Sequence, residues 1–448
     1  MDVYVLLIAL GFSCAQAFPI FQCDILDLTH ELNKDVPIYP VYTPMVMSKA
    51  YAGPYKGLKY VEWNRVCSFE HVGTHIDAPS HMVKDQATVE KISLDQLVGE
   101  ACVFDISERA KRDPLATLTV ADVQAWEQKH GELPGGAIVL LHTGWSKYWR
   151  SPAKYLGAKD YRSQAAKLKF PSFSPAVAEW FVENRNISAV GVDVISIDSP
   201  NGRLQAHQTL FSHGIVGIEN LNNLNKLPPR GSTIFVPPVK LTGGSGAWIK
   251  LKKTIGEACV IDISGKALTN PDEALTVADV EAWENENGQI PDGAIVLLHT
   301  GYSRFWNQPA RYLGTRDYRN RQARLRFPSF SGEVAKWFVE NRNISAVGVD
   351  VVSIDKEYTY TYPVHNTLFP RGILGVENMN NLDKLPPRGA TVFIPPINLD
   401  GGTGAWVRAF AIGWNGEDDP CRFNAAAILT NQKLASLMLL LLLVIIAI

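Results

Sequence analysis

The chain has 448 residues, a formal net charge of −2 at pH 7 and 46% apolar residues. This length predicts two domains, and the apolar content is sufficient for packed cores. The lack of a basic excess argues against nucleic acid as a partner.

The beginning of the chain is typical of a secretory signal peptide. Residues 3–13 are largely apolar, and Ala15-Gln16-Ala17 offers a small-residue cleavage site, although no Lys or Arg precedes the apolar run. We therefore predict a signal peptide at residues 1–17 and a mature chain that enters the secretory pathway.

Three histidines and one aspartate lie within the short segment of residues 71–81. Imidazole nitrogen together with carboxylate oxygen is the donor set of zinc, manganese or ferrous iron. In an extended strand His71, His75 and Asp77 project from one face, whereas in a helix Asp77 would point away from His75. The spacing therefore predicts a strand with a metal-binding face.

Two neighbouring residues support the same interpretation. Gly73 lies between the histidines, where the lack of a side chain leaves room for an ion. Pro79 belongs to a predicted turn that would bring His81 back towards the site. The alternative is a chance cluster of surface or core histidines, which the register with Asp77 disfavours.

Short runs of apolar or β-branched residues, bounded by Gly, Pro or polar residues, predict the strands. They lie at residues 103–106, 137–141, 189–197 and 233–236. Helices are predicted at residues 120–129 and 175–184, with Thr119 and Ser174 as N-caps. Strands and helices alternate, which predicts a mixed α/β domain.

The segment His71–His81 resembles the H-x-G-T-H-x-D-A-P-x-H signature of the metal-dependent cyclase family, which includes bacterial kynurenine formamidase and isatin hydrolase. Further motifs that resemble the family follow in the expected order: Asp27-Leu28-Thr29-His30, Pro37-Ile38-Tyr39-Pro40, Thr143-Gly144-Trp145, Gly191-Val192-Asp193, Ser196-Ile197-Asp198, and His207 ahead of Glu219-Asn220. The resemblance covers residues 24–250. It implies a complete domain with a mixed sheet that curls into a barrel-like core flanked by helices.

The resemblance also implies a set of metal ligands, with one or two zinc or manganese ions as the cofactor. In the family, the first metal is held by the positions that match His71, His75 and Asp77, and the second by those that match Asp77, His207 and Glu219.

The implied reaction is hydrolysis of an amide, such as an N-formyl aryl amine, or of a cyclic amide or ester. The position that matches His81 is the acid/base of the family. Formamidases of the family carry a Trp in contact with the aromatic substrate where this chain has Leu26. Formylkynurenine is therefore not assigned as the substrate, and we expect a small-molecule amide or lactam.

A tandem duplication organises the rest of the chain. Residues 99–107 recur with few changes as residues 256–264, and the similarity continues until residues 243–248 return as residues 401–406. We predict a second, truncated copy of the domain at residues 254–412.

The second copy has no counterpart of residues 24–98 and therefore lacks the histidine cluster, although it keeps His365 and Glu377. We predict that it is non-catalytic and pairs with the first copy as an internal pseudo-dimer, or that the chain forms a homo-oligomer. A rival explanation is an incorrect gene model that dropped an exon, which sequencing of the transcript would test.

The carboxyl end resembles a glycosylphosphatidylinositol attachment signal. A polar spacer at residues 413–433 contains the small trio Asn424-Ala425-Ala426, and the apolar tail at residues 434–448 is shorter than the about 20 residues of a spanning helix. We predict attachment at Asn424 and a location on the extracellular face of the cell surface. A plain C-terminal membrane anchor is the alternative.

An extracellular location affects the interpretation of cysteines and asparagines. Three cysteines can supply one disulfide of undecided pairing: Cys23, Cys67 and Cys421. Cys102 and Cys259 lie in equivalent predicted strands and are predicted to be buried free thiols. Asn186 and Asn343 begin equivalent sequons, which we predict to be glycosylated on the surface.

Two classes of function follow from these patterns. The intact cluster of the first copy favours an extracellular metal-dependent amide hydrolase. The degenerate second copy favours a surface-anchored binding or scaffold protein that keeps a hydrolase fold. The metal content of the purified ectodomain separates the two.

Overall fold

Two β-sheets, one in each copy, form the centre of the computed structural model. The structure describes residues 26–55, 58–163, 167–200, 202–248, 255–320, 324–356, 361–396 and 407–412. Residues Asp27–Trp414 belong to one compact unit. Each sheet curls into a half-barrel with helices on its outside, which confirms the mixed α/β class.

The first copy begins with a hairpin and continues with alternating strands and helices. Its strands are β1 (Val46–Tyr55), β2 (Leu58–Cys67), β3 (His75–Asp77), β4 (Val98–Asp105), β5 (Thr117–Leu118), β6 (Ala137–His142), β7 (Ser172–Phe173), β8 (Ile187–Val192), β9 (Val216–Glu219), β10 (Ser232–Phe235) and β11 (Gly246–Trp248). Its α-helices are α1 (Ser107–Arg112), α2 (Val120–His130), α3 (Pro152–Tyr155), α4 (Pro175–Asn184) and α5 (Gln205–Ser212).

The main sheet of the first copy has the strand order β10-β4-β6-β8-β9-β3-β11. The four central strands β4, β6, β8 and β9 are parallel. The outer strands β10, β3 and β11 pair antiparallel with their neighbours. Residues 137–141 of β6 are completely buried, as expected for a parallel strand that is covered on both faces.

Both predicted helices and their caps are confirmed. The Thr119 side chain accepts a hydrogen bond from the backbone N–H of Asp122, whose carboxylate accepts one from the Thr119 backbone in return. This capping box fixes the start of α2. At the start of α4 the Ser174 side chain accepts a hydrogen bond from the backbone N–H of Val177, and Pro175 occupies the first turn, where its missing N–H costs nothing.

Two predicted strands are shorter than expected. The strand predicted at residues 71–77 is confirmed only for β3, since Gly73 has a φ of +72°. A Cβ at this position would also lie 2.9 Å from Leu32 Cδ1, so the glycine serves a left-handed turn. The strand predicted at residues 189–197 ends at Val192, because the Asp193 carboxylate turns to accept hydrogen bonds from the backbone and hydroxyl of Thr143.

The second copy repeats this architecture without the initial segment. Its strands are β12 (Ile255–Asp262), β13 (Ala274–Leu275), β14 (Ile295–His299), β15 (Ser329–Phe330), β16 (Ala346–Val349), β17 (Leu374–Val376), β18 (Thr391–Phe393) and β19 (Phe410–Ile412). Its α-helices are α6 (Ser264–Ala267), α7 (Val277–Asn287), α8 (Pro309–Tyr312), α9 (Gly332–Asn341) and α10 (Pro363–Leu368). The main sheet has the order β17-β16-β14-β12-β18-β19, so β17 is an edge strand within the described part of the chain.

The two copies touch at equivalent positions. The ring of Phe235 in β10 stacks on that of Phe393 in β18, with the centroids 4.7 Å apart. These two phenylalanines correspond in the duplicated sequence. Contact between a residue and its own equivalent is typical of a two-fold interface.

Several predictions concern the surface and the termini. Cys102 and Cys259 are buried free thiols, as predicted, and Cys67 is exposed and forms no disulfide with a described residue. Asn186 and Asn343 are exposed at turns that follow α4 and α9. The predicted signal peptide, Cys23, Cys421, Asn424 and the apolar tail lie outside the described residues. Among the residues that are described, no helix has the length and apolarity needed to cross a membrane.

Candidate metal centre

The centre is assembled where β3 pairs with β9. The antiparallel register places His75 directly opposite Glu219 and Asp77 opposite Gly217. His75 Nε2 lies 3.1 Å from Asp77 Oδ1 and 3.5 Å from Glu219 Oε2. All three side chains are buried. The short strand thus brings one imidazole and two carboxylates together.

His207 reaches the same carboxylates from α5. Its Nε2 lies 3.4 Å from Asp77 Oδ2 and 3.3 Å from Glu219 Oε1. On the other side of the ring, Nδ1 lies 2.6 Å from Asp198 Oδ2. Asp198 is held in turn by the backbone N–H groups of Ala206 and His207, each at 2.9 Å. The helix start therefore orients the imidazole.

His71 approaches from the irregular segment before β3. Its Nδ1 lies 2.6 Å from Asp77 Oδ1, and its Nε2 lies 3.0 Å from the Ser245 hydroxyl oxygen. The Ser245 hydroxyl donates to the Glu70 carboxylate at 2.9 Å. Since that proton is committed to Glu70, the Ser245 oxygen accepts from His71 Nε2–H.

His81 returns to the cluster as predicted. It ends a 3-10 helix at Pro79–His81, and its ring stacks on His71 with the centroids 3.8 Å apart. Ligand atoms of His71, Asp77 and His81 all lie within 4.8 Å of one another. The geometry alone is therefore compatible with His81 as a ligand and with His81 as an acid/base beside the ligands, and its assignment as acid/base stays a prediction.

The buried charges shift the pKa values of the cluster strongly. Burial alone would lower the pKa of His75, but the carboxylates of Asp77 and Glu219 outweigh it and raise the pKa to about 9. The pKa of Asp77 is lowered well below its usual value, since the histidines around it outweigh the effect of burial. In contrast, burial and the neighbouring histidines lower the pKa of His81 to about 4 despite the opposing effect of Asp77. Without an ion, the carboxylates hold protons on the imidazoles of His75 and His207, whose pKa values are both raised.

The donor atoms fit a divalent cation. His75 Nδ1 lies 2.9 Å from the Gly73 carbonyl oxygen and donates to it, which leaves Nε2 directed at the carboxylates. This buried Nε2 makes no hydrogen bond to any described residue. His75, Asp77 and Glu219 offer ligand atoms within 4.8 Å of one another. Imidazoles with one nitrogen tied to an outer partner and the other turned to shared carboxylates are the usual surroundings of a bound metal.

Backbone geometry around β3 is fixed by buried polar contacts. The Thr74 hydroxyl donates to the Asn220 carbonyl at 2.6 Å and accepts from the backbone N–H of His30. The Asn220 side chain donates to the Gly73 carbonyl and accepts from the Tyr155 hydroxyl. The segment that carries His75 and Asp77 is therefore tied to β9, which carries Glu219.

Three residues of the site were not among the predicted site residues. Asp198 was recognised only as part of a family motif, and its role becomes visible when the start of α5 folds against it. Ser245 and Glu70 complete the contact to His71. Sequence spacing could not predict the contact of Ser245 with the cluster. Ser245 precedes β11, and β11 comes next to β3 only by strand pairing in the folded sheet.

A model of the cyclase family matches residues 26–199 and 222–356. The chain belongs to the cyclase family. An isatin hydrolase of Roseibium aggregatum is 26% identical over 251 residues, which are 53% of this chain and 94% of that protein. A kynurenine formamidase of Bacillus cytotoxicus is 26% identical over 229 residues, which are 50% of this chain and 94% of that protein. Among solved structures, isatin hydrolase A from Labrenzia aggregata bound to benzyl benzoate matches with 31% identity and a TM-score of 0.46, over 50% of this chain and 91% of that one.

The second copy of the domain keeps part of the centre. His365 Nδ1 pairs with Asp355 Oδ2 at 2.5 Å, and His365 Nε2 lies 3.6 Å from Glu377 Oε1. These residues correspond to His207, Asp198 and Glu219 in the first copy. Burial raises the pKa of Glu377, so the proton is held more tightly than on an ordinary glutamate. One imidazole and one such carboxyl make an incomplete ligand set.

Proposed function

We propose that the chain is a metal-dependent hydrolase of amide bonds, acting on N-formyl aryl amines or on small lactams and related cyclic esters. The observation that carries the proposal is the shared pair of carboxylates, Asp77 and Glu219, which lie 3.1 Å and 3.5 Å from the buried Nε2 of His75. The relatives named as isatin hydrolase and kynurenine formamidase support the choice of substrate class.

The metal ligands in this proposal are the five residues predicted from the sequence, and the cofactor is one or two zinc or manganese ions. The ligands are His71, His75, Asp77, His207 and Glu219. A divalent ion bound there supplies Lewis acidity, which lowers the pKa of water and polarises a carbonyl group.

His81 carries the proton in the proposed reaction. Its ring lies against His71 at the rim of the ligand cluster. The low pKa of His81 keeps its imidazole neutral near pH 7, so it can accept a proton from the attacking water. Its imidazolium then donates that proton to the nitrogen of the leaving amine as the C–N bond breaks. Asp198 and Ser245 position His207 and His71 and take no proton from the substrate.

The test combines metal analysis with a hydrolysis screen of the purified protein. We expect bound zinc or manganese, and turnover of at least one of three substrate types: N-formyl aryl amines, isatin-like lactams and small lactones. The variant His365→Ala, in the second copy, is the matched control and should keep both metal and turnover. A protein that takes up no metal after reconstitution and hydrolyses none of these compounds would contradict the proposal.

The non-catalytic scaffold has no specific observation in its favour. A scaffold that had lost catalysis would be expected to lack ligand residues in the first copy. The first copy instead has all five proposed ligand side chains and the contacts that orient them. Degeneration is confined to the second copy.

We further propose that the second copy serves as an internal dimer partner. The stacking of Phe235 on its equivalent Phe393 supports a two-fold arrangement of the copies. For the location, the sequence supports a secreted, glycosylated protein with a lipid anchor at Asn424 and glycans on Asn186 and Asn343. Release from cells by a phosphatidylinositol-specific phospholipase is the expected result, and complete resistance would favour a membrane helix.

A further inference from the structure

Each copy carries a strongly basic surface loop at the same position. In the first copy the loop spans residues 154–169 and contains five basic residues and one acidic residue, Asp160. In the second copy the loop spans residues 311–326 and contains six arginines and one acidic residue, Asp317. We call these two segments the basic loops. They concentrate positive charge in a chain whose overall net charge is −2.

The basic loops keep their positive charge at five equivalent positions, although four of the five residue types differ. All ten side chains are exposed. In chain order they are Lys154, Lys159, Arg162, Lys167 and Lys169 in the first loop, and Arg311, Arg316, Arg319, Arg324 and Arg326 in the second. The charge has therefore been retained at these positions while the side chain that carries it has changed.

Exposed basic residues on the neighbouring helices have not been retained in this way. The second copy has Leu268, Thr269 and Glu286 in place of the exposed Lys111, Arg112 and Lys129 of α1 and α2. A general need for solubility would not separate the loops from these helices. The difference indicates that the charge of the loops serves an interaction.

The same backbone contacts close both loops. The Lys169 N–H donates to the Leu156 carbonyl at 2.9 Å, and the Arg326 N–H donates to the Leu313 carbonyl at 3.0 Å. Gly157 lies at the first closure with a φ of +65°, and a Cβ there would lie 2.2 Å from the Lys169 carbonyl oxygen. Compact surface loops whose ends meet are frequently functional.

Buried neighbours turn the cations of the first loop towards solvent. Leu168 is 6% exposed, whereas Lys167 and Lys169 on either side of it are exposed. Within the part of the chain that the structure describes, none of the five cations of this loop pairs with a carboxylate. Elsewhere in the copy, Arg109 and Arg185 each bind one. The charges of the first loop are thus available to an external partner.

The chemistry of the loops fits a polymer with repeated anionic groups. Lysine and arginine both bind sulfate or phosphate oxygens through charge-assisted hydrogen bonds, so their exchange between the copies preserves this recognition. Several cations in one loop match several anions along a chain, whereas a single small anion would engage few of them. The predicted signal peptide and the exposed sequons at Asn186 and Asn343 favour an extracellular polyanion over nucleic acid.

We propose that the basic loops bind a sulfated glycan of the heparin type through contacts with its sulfate groups. The choice of a glycan rests on the proposed extracellular location, and the inference is independent of the proposed hydrolase function. Each loop is a separate contact site, so the loss of one loop leaves part of the binding.

The experiment measures the Kd of the purified protein for heparin at several salt concentrations. One variant neutralises three cations of the first loop, a second neutralises their equivalents in the second loop, and a third combines both sets. The substitutions are Lys159→Gln, Arg162→Gln and Lys167→Gln, and Arg316→Gln, Arg319→Gln and Arg324→Gln. Arg326 is left unchanged because it pairs with Asp272.

Each single-loop variant should bind heparin more weakly than the wild type. The combined variant should bind at least about tenfold more weakly, and its Kd should depend less on salt, because fewer counterions are released on binding. A combined variant with the Kd and the salt dependence of the wild type would overturn the proposal. Thermal melts that match the wild type are required of each variant.

A matched control removes the same number of charges from α1 and α2. The triple variant Lys111→Gln, Arg112→Gln and Lys129→Gln also changes only exposed side chains and should leave the Kd for heparin nearly unchanged. If this control weakens binding as much as either single-loop variant, net charge and not the loops governs the binding, and the proposal is overturned.

Two further ligands identify the polyanion. Heparosan is an unsulfated polysaccharide that keeps the carboxylates, so it should bind much more weakly than heparin, and equal binding would contradict sulfate recognition. Double-stranded DNA that binds more tightly than heparin at the same salt would make the loops a nucleic-acid site and overturn the glycan. Because no turnover is measured, failure of these tests leaves the hydrolase function standing.

Discussion

The two copies have the same sheet and differ at one edge. In the first copy, β9 is covered by β3, and Phe211 and Val216 are 0% and 1% exposed. Their equivalents beside β17 in the second copy, Phe369 and Leu374, are 46% and 42% exposed. The segment missing from the second copy therefore has two roles in the first: it carries the proposed metal ligands His71, His75 and Asp77, and it covers the apolar edge of the sheet.

Other contacts are identical in both copies and are independent of the metal centre. Asp193 accepts hydrogen bonds from the backbone and hydroxyl of Thr143, as Asp350 does from Thr300. His142 pairs with Asp105 and His299 with Asp262, each at 3.2 Å. Since the second copy keeps these contacts without the ligand cluster, they stabilise the fold and take no part in the chemistry.

The largest effect is expected from removing His75. Its Nε2 lies next to the carboxylates of Asp77 and Glu219, so His75→Ala should abolish both metal binding and turnover. His365→Ala in the second copy should change neither. Metal analysis and kinetics of the two variants check this. Equal loss of metal and turnover in both variants would mean that the second copy also carries a working site.

The next largest effect is expected from His81→Ala. As the proton carrier, His81 should be worth about 10²- to 10⁴-fold in turnover, the range of general acid–base catalysis. The variant should keep its metal, because the five proposed ligands are unchanged. Loss of the metal together with activity would instead make His81 a ligand, which its position beside His71 and Asp77 also permits. Wild-type turnover of the metal-loaded variant would contradict both roles.

The sequence predicted the local features of the molecule better than the long-range ones. The helices could be predicted because Thr119, Ser174 and Pro175 act on their own first turns. The cluster could be found because His71, His75 and His81 lie close together in the sequence. The contact of Ser245 with His71 could not be predicted, since it depends on the pairing of β11 with β3, which no local pattern encodes.

Stability should distinguish the covered edge from the uncovered one. Phe211→Ala removes a fully buried ring and should lower the free energy of unfolding by about 3–5 kcal/mol. Phe369→Ala removes a half-exposed ring at the equivalent position and should cost less than about 1 kcal/mol. Chemical denaturation of the two variants gives the comparison. Similar losses would indicate that another segment covers the second edge in solution.

The smallest effect is expected from the partners that orient the histidines. Asp198→Asn keeps a side chain that can accept from the start of α5 but removes the charge beside His207 Nδ1. Loss of such an outer partner costs about 10- to 100-fold in metal affinity. Asp355→Asn makes the same change beside His365 and should leave metal affinity unaltered. Titration of the metal-free protein with zinc measures both. If the two variants weakened zinc binding equally, His365 and its neighbours in the second copy would also contribute to metal binding. The two copies would then differ in zinc affinity and not in whether they bind zinc.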